Sequence, residues 1–264
     1  MPTAGKLGNQ HKNPTRLEGP ARVEGTREPC YRADSGSRFR ATARGRPGSP
    51  VIAGASPEEE LTSLSTPARA TFEVIAIATS AGGLKALSQV LAALPADFPP
   101  AIVVVQHLDP RHRSLMADIL SRRSTLPVKQ AEESDKLKPG TVYIAPPNKH
   151  LLVNPDGSLS LTQSELVHFV RPSADLLFES VAGSFKNRAI AVVLTGTGSD
   201  GSMGVQAIKK MGGTVLAQDE SSSEFYGMPN AAIQTGCVDF ILSLSEIPPA
   251  LITLVKTGEV DELG

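Results

Sequence analysis

Three runs in this 264-residue chain are apolar at every position: Val74-Ile75-Ala76-Ile77-Ala78, Ile102-Val103-Val104-Val105 and Ala191-Val192-Val193-Leu194. A strand with one wet face alternates apolar and polar residues, so continuous runs require cover on both faces. Between them lie patterns of helical spacing: Leu84-x-x-Leu87-x-x-x-Leu91-x-x-Leu94, Leu115-Met116-x-x-Ile119-Leu120, Leu176-Leu177-Phe178-x-x-Val181-Ala182 and Val205-x-x-Ile208-x-x-Met211. Covered strands alternating with amphipathic helices predict an α/β fold, a three-layer α/β/α sandwich with a doubly wound, mostly parallel sheet. Strands are expected over 74–79, 101–106, 128–131, 141–145, 190–195, 214–218 and 237–242. Residues 151–161 break the pattern. Two alternating runs flank Pro155-Asp156-Gly157 there, which predicts a β-hairpin appended to the sheet. Ser173 is positioned to cap a helix near 174–186, and Gly212-Gly213 to end one near 202–211.

This periodicity begins only near Phe72. Residues 1–50 carry ten basic and four acidic side chains, in a chain whose formal net charge is −1. A segment so poor in apolar residues cannot offset the entropy of ordering it. The expected organisation is a disordered basic arm over 1–70, one globular domain over 71–258 and a short tail over 259–264. Tyr31 and Phe39 are the only aromatics in the arm, too few for a base-stacking surface, so no nucleic-acid partner is expected. No stretch has the length and apolarity of a membrane span or signal-peptide core, and the expected location is cytoplasmic. Cys30 and Cys237 form no Cys-x-x-Cys, and the five histidines are scattered, so neither a metal nor a cofactor is expected.

The chemistry-bearing residues fall at strand ends. Ser80 closes the first run and precedes Ala81-Gly82-Gly83, where a strand would turn into a helix N-terminus. His107 follows the second run, and Asp200 lies in Gly196-Thr197-Gly198-Ser199-Asp200-Gly201 after the third. Open α/β sheets place their sites at the carboxyl ends of strands. An alcohol needs a base and a group that orients the base, and an imidazole titrating near ~6.5 can both take and return a proton. Serine, histidine and aspartate in this placement read as a serine hydrolase, with helix N–H groups available to an oxyanion. An α/β-hydrolase is excluded, since G-x-S-x-G and the order Ser, Asp, His are both missing. The Gly196–Gly201 loop also spells G-x-G-x-x-G, with Asp219 and Glu220 after the next strand, so a dinucleotide site is a competing reading. His112, His150 and His168 read as packed or solvated side chains, and His11 belongs to the arm.

Several segments together resemble the catalytic domain of CheB-type chemotaxis protein-glutamate methylesterases. They are Ile77-Ala78-Thr79-Ser80-Ala81-Gly82-Gly83, Val105-Gln106-His107, Tyr143-Ile144-Ala145-Pro146-Pro147-Asn148-Lys149-His150, Arg171-Pro172-Ser173-Ala174-Asp175-Leu176-Leu177-Phe178, Leu194–Gly201, and Ala217-Gln218-Asp219-Glu220 with Tyr226-Gly227-Met228-Pro229. The resemblance implies Ser80 as nucleophile, His107 as base and Asp200 as orienting acid, with Ala81, Gly82 and Thr197 near the oxyanion. It implies hydrolysis of glutamate γ-methyl esters, and deamidation of glutamine, on the cytoplasmic helical bundle of methyl-accepting chemoreceptors, without a cofactor. Contact with a membrane would then be only through receptors. Members usually carry an N-terminal receiver domain, which the arm does not resemble. The expectation is therefore an ungated esterase, or one controlled by a separate response regulator. Ala81 stands where many members have threonine and Thr197 where many have methionine; the backbone N–H at 197 survives the exchange, so activity is expected to survive too. The alternative is a non-catalytic interaction module of the same fold.

Overall fold

The computed structural model describes residues 72–107, 114–167 and 170–258. The arm, the tail, Cys30, His11, His112 and His168 lie outside the described residues.

Seven strands form one sheet: β1 (Val74–Thr79), β2 (Ala101–Gln106), β3 (Val128–Gln130), β4 (Val142–Ile144), β7 (Ala189–Val193), β8 (Thr214–Gln218) and β9 (Phe240–Leu242). Their order is β3-β4-β2-β1-β7-β8-β9, and every pairing is parallel. From β1 the chain adds β2, places β3 at the edge and inserts β4 between them, then returns to add β7, β8 and β9 on the other side. The order reverses between β1 and β7, and a doubly wound sheet opens a crevice at that place.

Period-two alternation divides the continuous apolar runs between two cores. Ile75, Ile77, Ile102, Val104, Ile190 and Leu194 face a core shared with α1 (Gly83–Ala93), α2 (Met116–Ser121) and α6 (Ile247–Thr257). Val74, Ala76, Ala78, Ala191, Val193 and Ala217 face the other, shared with α3 (Ala174–Phe185), α4 (Ser202–Lys210) and α5 (Gly227–Gln234). Each fully buried Ile or Leu contributes about 1.5–3 kcal/mol. The second face is built from smaller residues, which lets α3 and α4 lie close to the sheet and to each other. At their crossing a Cβ on Gly204 would come 2.5 Å from Phe178 Cβ.

The hairpin forms as β5 (His150–Val153) and β6 (Leu159–Thr162), with Gly157 at φ +76° in its turn. It is a separate two-stranded sheet, and its apolar residues Leu151, Val153 and Leu159 join the core shared with α3. Ser173 caps α3, and Gly212 at φ +84° follows α4. Strand β9 is shorter than expected, beginning at Phe240. Two helices had no place among the helical patterns. α5 is short, and α6 opens with Pro248 and Pro249, which a first turn tolerates because its N–H groups have no intrahelical acceptor. Among the described residues no helix is long and apolar enough to cross a membrane.

Candidate active site

β1 and β2 run in register, Thr79 opposite Gln106, so Ser80 and His107 leave the sheet side by side. The Ser80 N–H donates to Thr195 O at 3.0 Å, tying the serine to the end of the neighbouring β7 segment. Gly82 takes φ +78° at the N-cap of α1, a left-handed conformation that turns the chain abruptly from strand to helix. Gly196 packs beneath the serine, where a Cβ would lie 2.9 Å from Ser80 Cβ and 2.4 Å from Met228 Sδ.

His107 Nε2 lies 2.8 Å from Asp200 Oδ2, with side chains 14 % and 3 % exposed. Asp200 is saturated with donors. Oδ1 accepts from Ser173 Oγ at 2.9 Å and Asp175 N at 3.2 Å; Oδ2 accepts from Ala174 N at 2.6 Å as well as from His107. Burial pushes the carboxyl pKa up, but the His107 bond and the α3 amides outweigh it and hold Asp200 below its ordinary value. An ionised carboxylate accepts only, so Nε2 carries the imidazole proton and Nδ1 is left as the basic nitrogen. Ser80 Oγ makes no hydrogen bond among the described residues, a looseness common in unliganded hydrolases.

One residue at the site had no role in the sequence reading. Gln106 Nε2 donates to Ser80 O at 2.7 Å and to His107 O at 3.0 Å, so one buried amide joins the backbone of the serine to that of the histidine. Two carbonyl acceptors fix the amide orientation. The other end, Oε1, is buried against Gly83 without a partner among the described residues. The motif Val105-Gln106-His107 displays this residue, yet its partners are backbone atoms that no side-chain pattern announces.

The near-site residues are also placed. Ala81 O accepts from Thr195 Oγ1 at 3.1 Å, and Thr197 is exposed over the backbone of Gly227. The N–H groups of Ala81, Gly82 and Thr197 donate to no acceptor among the described residues. A cleft of about 430 Å³ runs from Ser80 past Gly83, Lys85 and Gln106 to Met116 and Arg123. A larger cavity of about 660 Å³, lined by Phe72, Ala101, Phe185 and Arg188, opens at the start of the strands, where neither Ser80, His107 nor Asp200 reaches.

The dinucleotide reading fails on geometry. A pyrophosphate would need the free N-terminal amides of α4. Asp175 Oδ1 already occupies them, accepting from Met203 N at 2.9 Å and Gly204 N at 2.8 Å. Asp219 is likewise engaged, by Ser221 and Ser222.

Comparison with known proteins agrees. A family model described as CheB methylesterase matches residues 75–251. A protein-glutamate methylesterase/protein-glutamine glutaminase of Maricaulis maris is 41 % identical over 189 residues, 70 % of this chain and 47 % of that protein. The protein-glutamate methylesterase FrzG of Myxococcus xanthus is 43 % identical over 184 residues, 70 % of this chain and 55 % of FrzG. A Leptospira interrogans relative, 41 % identical over 183 residues, is 95 % covered. The crystal structure of the Thermotoga maritima CheB methylesterase catalytic domain superposes with a TM-score of 0.67 at 39 % identity, covering 70 % of this chain and 100 % of that one. The chain thus spans about half the length of several curated relatives it matches. The family match takes in more than half of the sequence, and with it all three strand-end residues: the chain belongs to the CheB methylesterase family.

Proposed function

We propose that this chain hydrolyses glutamate γ-methyl esters, and deamidates glutamines, on the cytoplasmic helices of chemoreceptors. The observation that carries the reading is the bond between His107 Nε2 and Asp200 at the strand end beside Ser80. Ser80 Oγ attacks the side-chain carbonyl carbon while His107 Nδ1 takes its proton. The N–H groups of Ala81, Gly82 and Thr197 are the candidate donors to the oxyanion that forms, and each such donor is worth roughly 100- to 1000-fold in turnover. His107 then returns the proton to methanol or ammonia as the C–O or C–N bond breaks. Water, deprotonated by the same imidazole, then attacks the acyl carbon, and the imidazolium protonates Ser80 Oγ as its bond to the glutamate breaks. Asp200 holds the imidazole tautomer and stabilises the imidazolium in both steps. The catalytic unit in this reading is the domain over 71–258, acting in the cytoplasm, with a response regulator as a further candidate partner.

Methanol release from methyl-labelled receptor membranes tests it, using the full chain, Ser80→Ala and a chain beginning at Ala70. Release by the full chain that falls at least ~1000-fold in Ser80→Ala is expected. The shortened chain should match the full one. No release from a folded full chain across several receptors would favour a binding module instead, and a changed rate on removing the arm would overturn the domain assignment.

A further inference from the structure

His150 opens β5, in the hairpin and not in the main sheet, yet it is 0 % exposed. Burial lowers its pKa from the ordinary histidine value, which keeps the ring neutral. Both nitrogens are engaged. Nε2 lies 3.0 Å from Glu165 O, and a carbonyl only accepts, so Nε2 carries the proton. Nδ1 is then an acceptor, and it receives the Ser173 N–H at 3.1 Å. Arg171 fixes the surroundings by donating to Asn148 Oδ1, Gln163 O and Ser164 O, on the two segments adjoining His150 and Glu165.

Ser173 passes this placement on. Its backbone N–H is pinned by His150 and its hydroxyl donates to Asp200 Oδ1 at 2.9 Å. Three of the four donors on Asp200 come from the consecutive residues Ser173, Ala174 and Asp175. A shift of Ser173 therefore turns the carboxylate, and with it the oxygen that His107 Nε2 meets at 2.8 Å.

We propose that His150 is a positioning residue for the hydrolysis, acting through Ser173 to set the carboxylate plane of Asp200 and so the ring of His107. The proposal rests on the assignment of Ser80, His107 and Asp200 above. It predicts that bond direction at position 150 matters more than volume. Glutamine can accept from Ser173 N and donate to Glu165 O, whereas leucine can do neither.

The test compares the full chain with its His150→Gln and His150→Leu variants. Turnover is measured on methylated receptor membranes, and the proton resonance of the His107 Nε2–H is followed by NMR. The leucine variant is expected to lose about 10- to 100-fold in kcat with KM within about 2-fold, and to lose or shift the resonance. Glutamine should restore most of both. A folded leucine variant with unaltered kcat and resonance overturns the proposal, as do equal losses in the two variants. Should leucine not fold, Ser173→Ala takes its place: lowered kcat beside a nearly normal His150→Gln supports the relay, and unaltered kcat sinks it. An unaltered chain that hydrolyses no ester would defeat the esterase reading, while the resonance still decides the role of His150.

Discussion

A single side-chain amide spans the two strand ends that carry Ser80 and His107, and its place depends on a missing methyl group. A Cβ on Gly83 would lie 2.0 Å from Gln106 Oε1 and 2.4 Å from Thr79 Oγ1. Gly83 is helical and its φ lies outside the left-handed region, so alanine suits the backbone there and the cost is purely steric. Gly83→Ala is expected to push Gln106 off the Ser80 and His107 carbonyls. Turnover should fall by about 10-fold or more, with an overpacking cost of about 1–3 kcal/mol, read by paired kinetics and thermal melts. Unchanged kcat in a folded variant would remove Gln106 from the account. At this scale the sequence was legible for groups whose chemistry is conspicuous. Ser80, His107 and Asp200 stand out because a hydroxyl, an imidazole and a carboxylate end apolar strands. Gln106 and His150 do not, because each acts on main-chain atoms, and Ser80, Glu165 and Ser173 lie well away along the chain.

Helices α3 and α4 exchange carboxylates. Asp200, two residues before α4, accepts the first amides of α3, and Asp175, in the first turn of α3, accepts the amides of Met203 and Gly204 in α4. Each carboxyl meets amides at the positive end of the other helix's dipole. The close crossing at Gly204 makes the exchange possible. Removing the acceptor with Asp175→Ala strands two amides, one of them buried, and should cost about 1–3 kcal/mol. For a domain of this size that is about 2–4 °C of Tm per kcal/mol. Activity should fall with it, since the loop that carries Asp200 leads straight into α4. A thermal melt within a degree of the unaltered chain would show the exchange to be incidental. Element existence was readable here from 3.6-residue periodicity and from Ser173 as a cap. The exchange itself was not, because Asp175 and Asp200 sit at unremarkable turn and cap positions until the two helices are packed.

Over the whole molecule, the reversal of strand order between β1 and β7 brings residues 80, 107 and 200 to one edge. The alternation of covered strands and helices was enough to foresee that edge. It was not enough to foresee α6, whose prolines look like a break until they fall in a first turn. Two buried groups should make the fold sensitive to acid. Native His150 has a lowered pKa, so the unfolded chain takes up a proton near ~6.5 that the folded chain refuses, and stability declines as pH drops below that value. Asp200, also lowered, adds a second decline, beginning near the ordinary carboxyl value of ~3.9 and complete below its folded value. Urea melts from pH 8 to 5 should therefore show falling stability below neutrality, with a shallower slope in His150→Gln; equal slopes would assign the loss elsewhere.

The carboxylate exchange also bears on how such a chain could change over evolutionary time. Ser80 Oγ bonds nothing among the described residues, so a lineage that abandoned hydrolysis could discard the hydroxyl without breaking a hydrogen bond there. Asp200 anchors the start of α3 as well as orienting an imidazole, and would be retained for the first reason after the second had lapsed. A related sequence that keeps the aspartate therefore reveals an intact joint between two helices. Only the serine testifies to turnover.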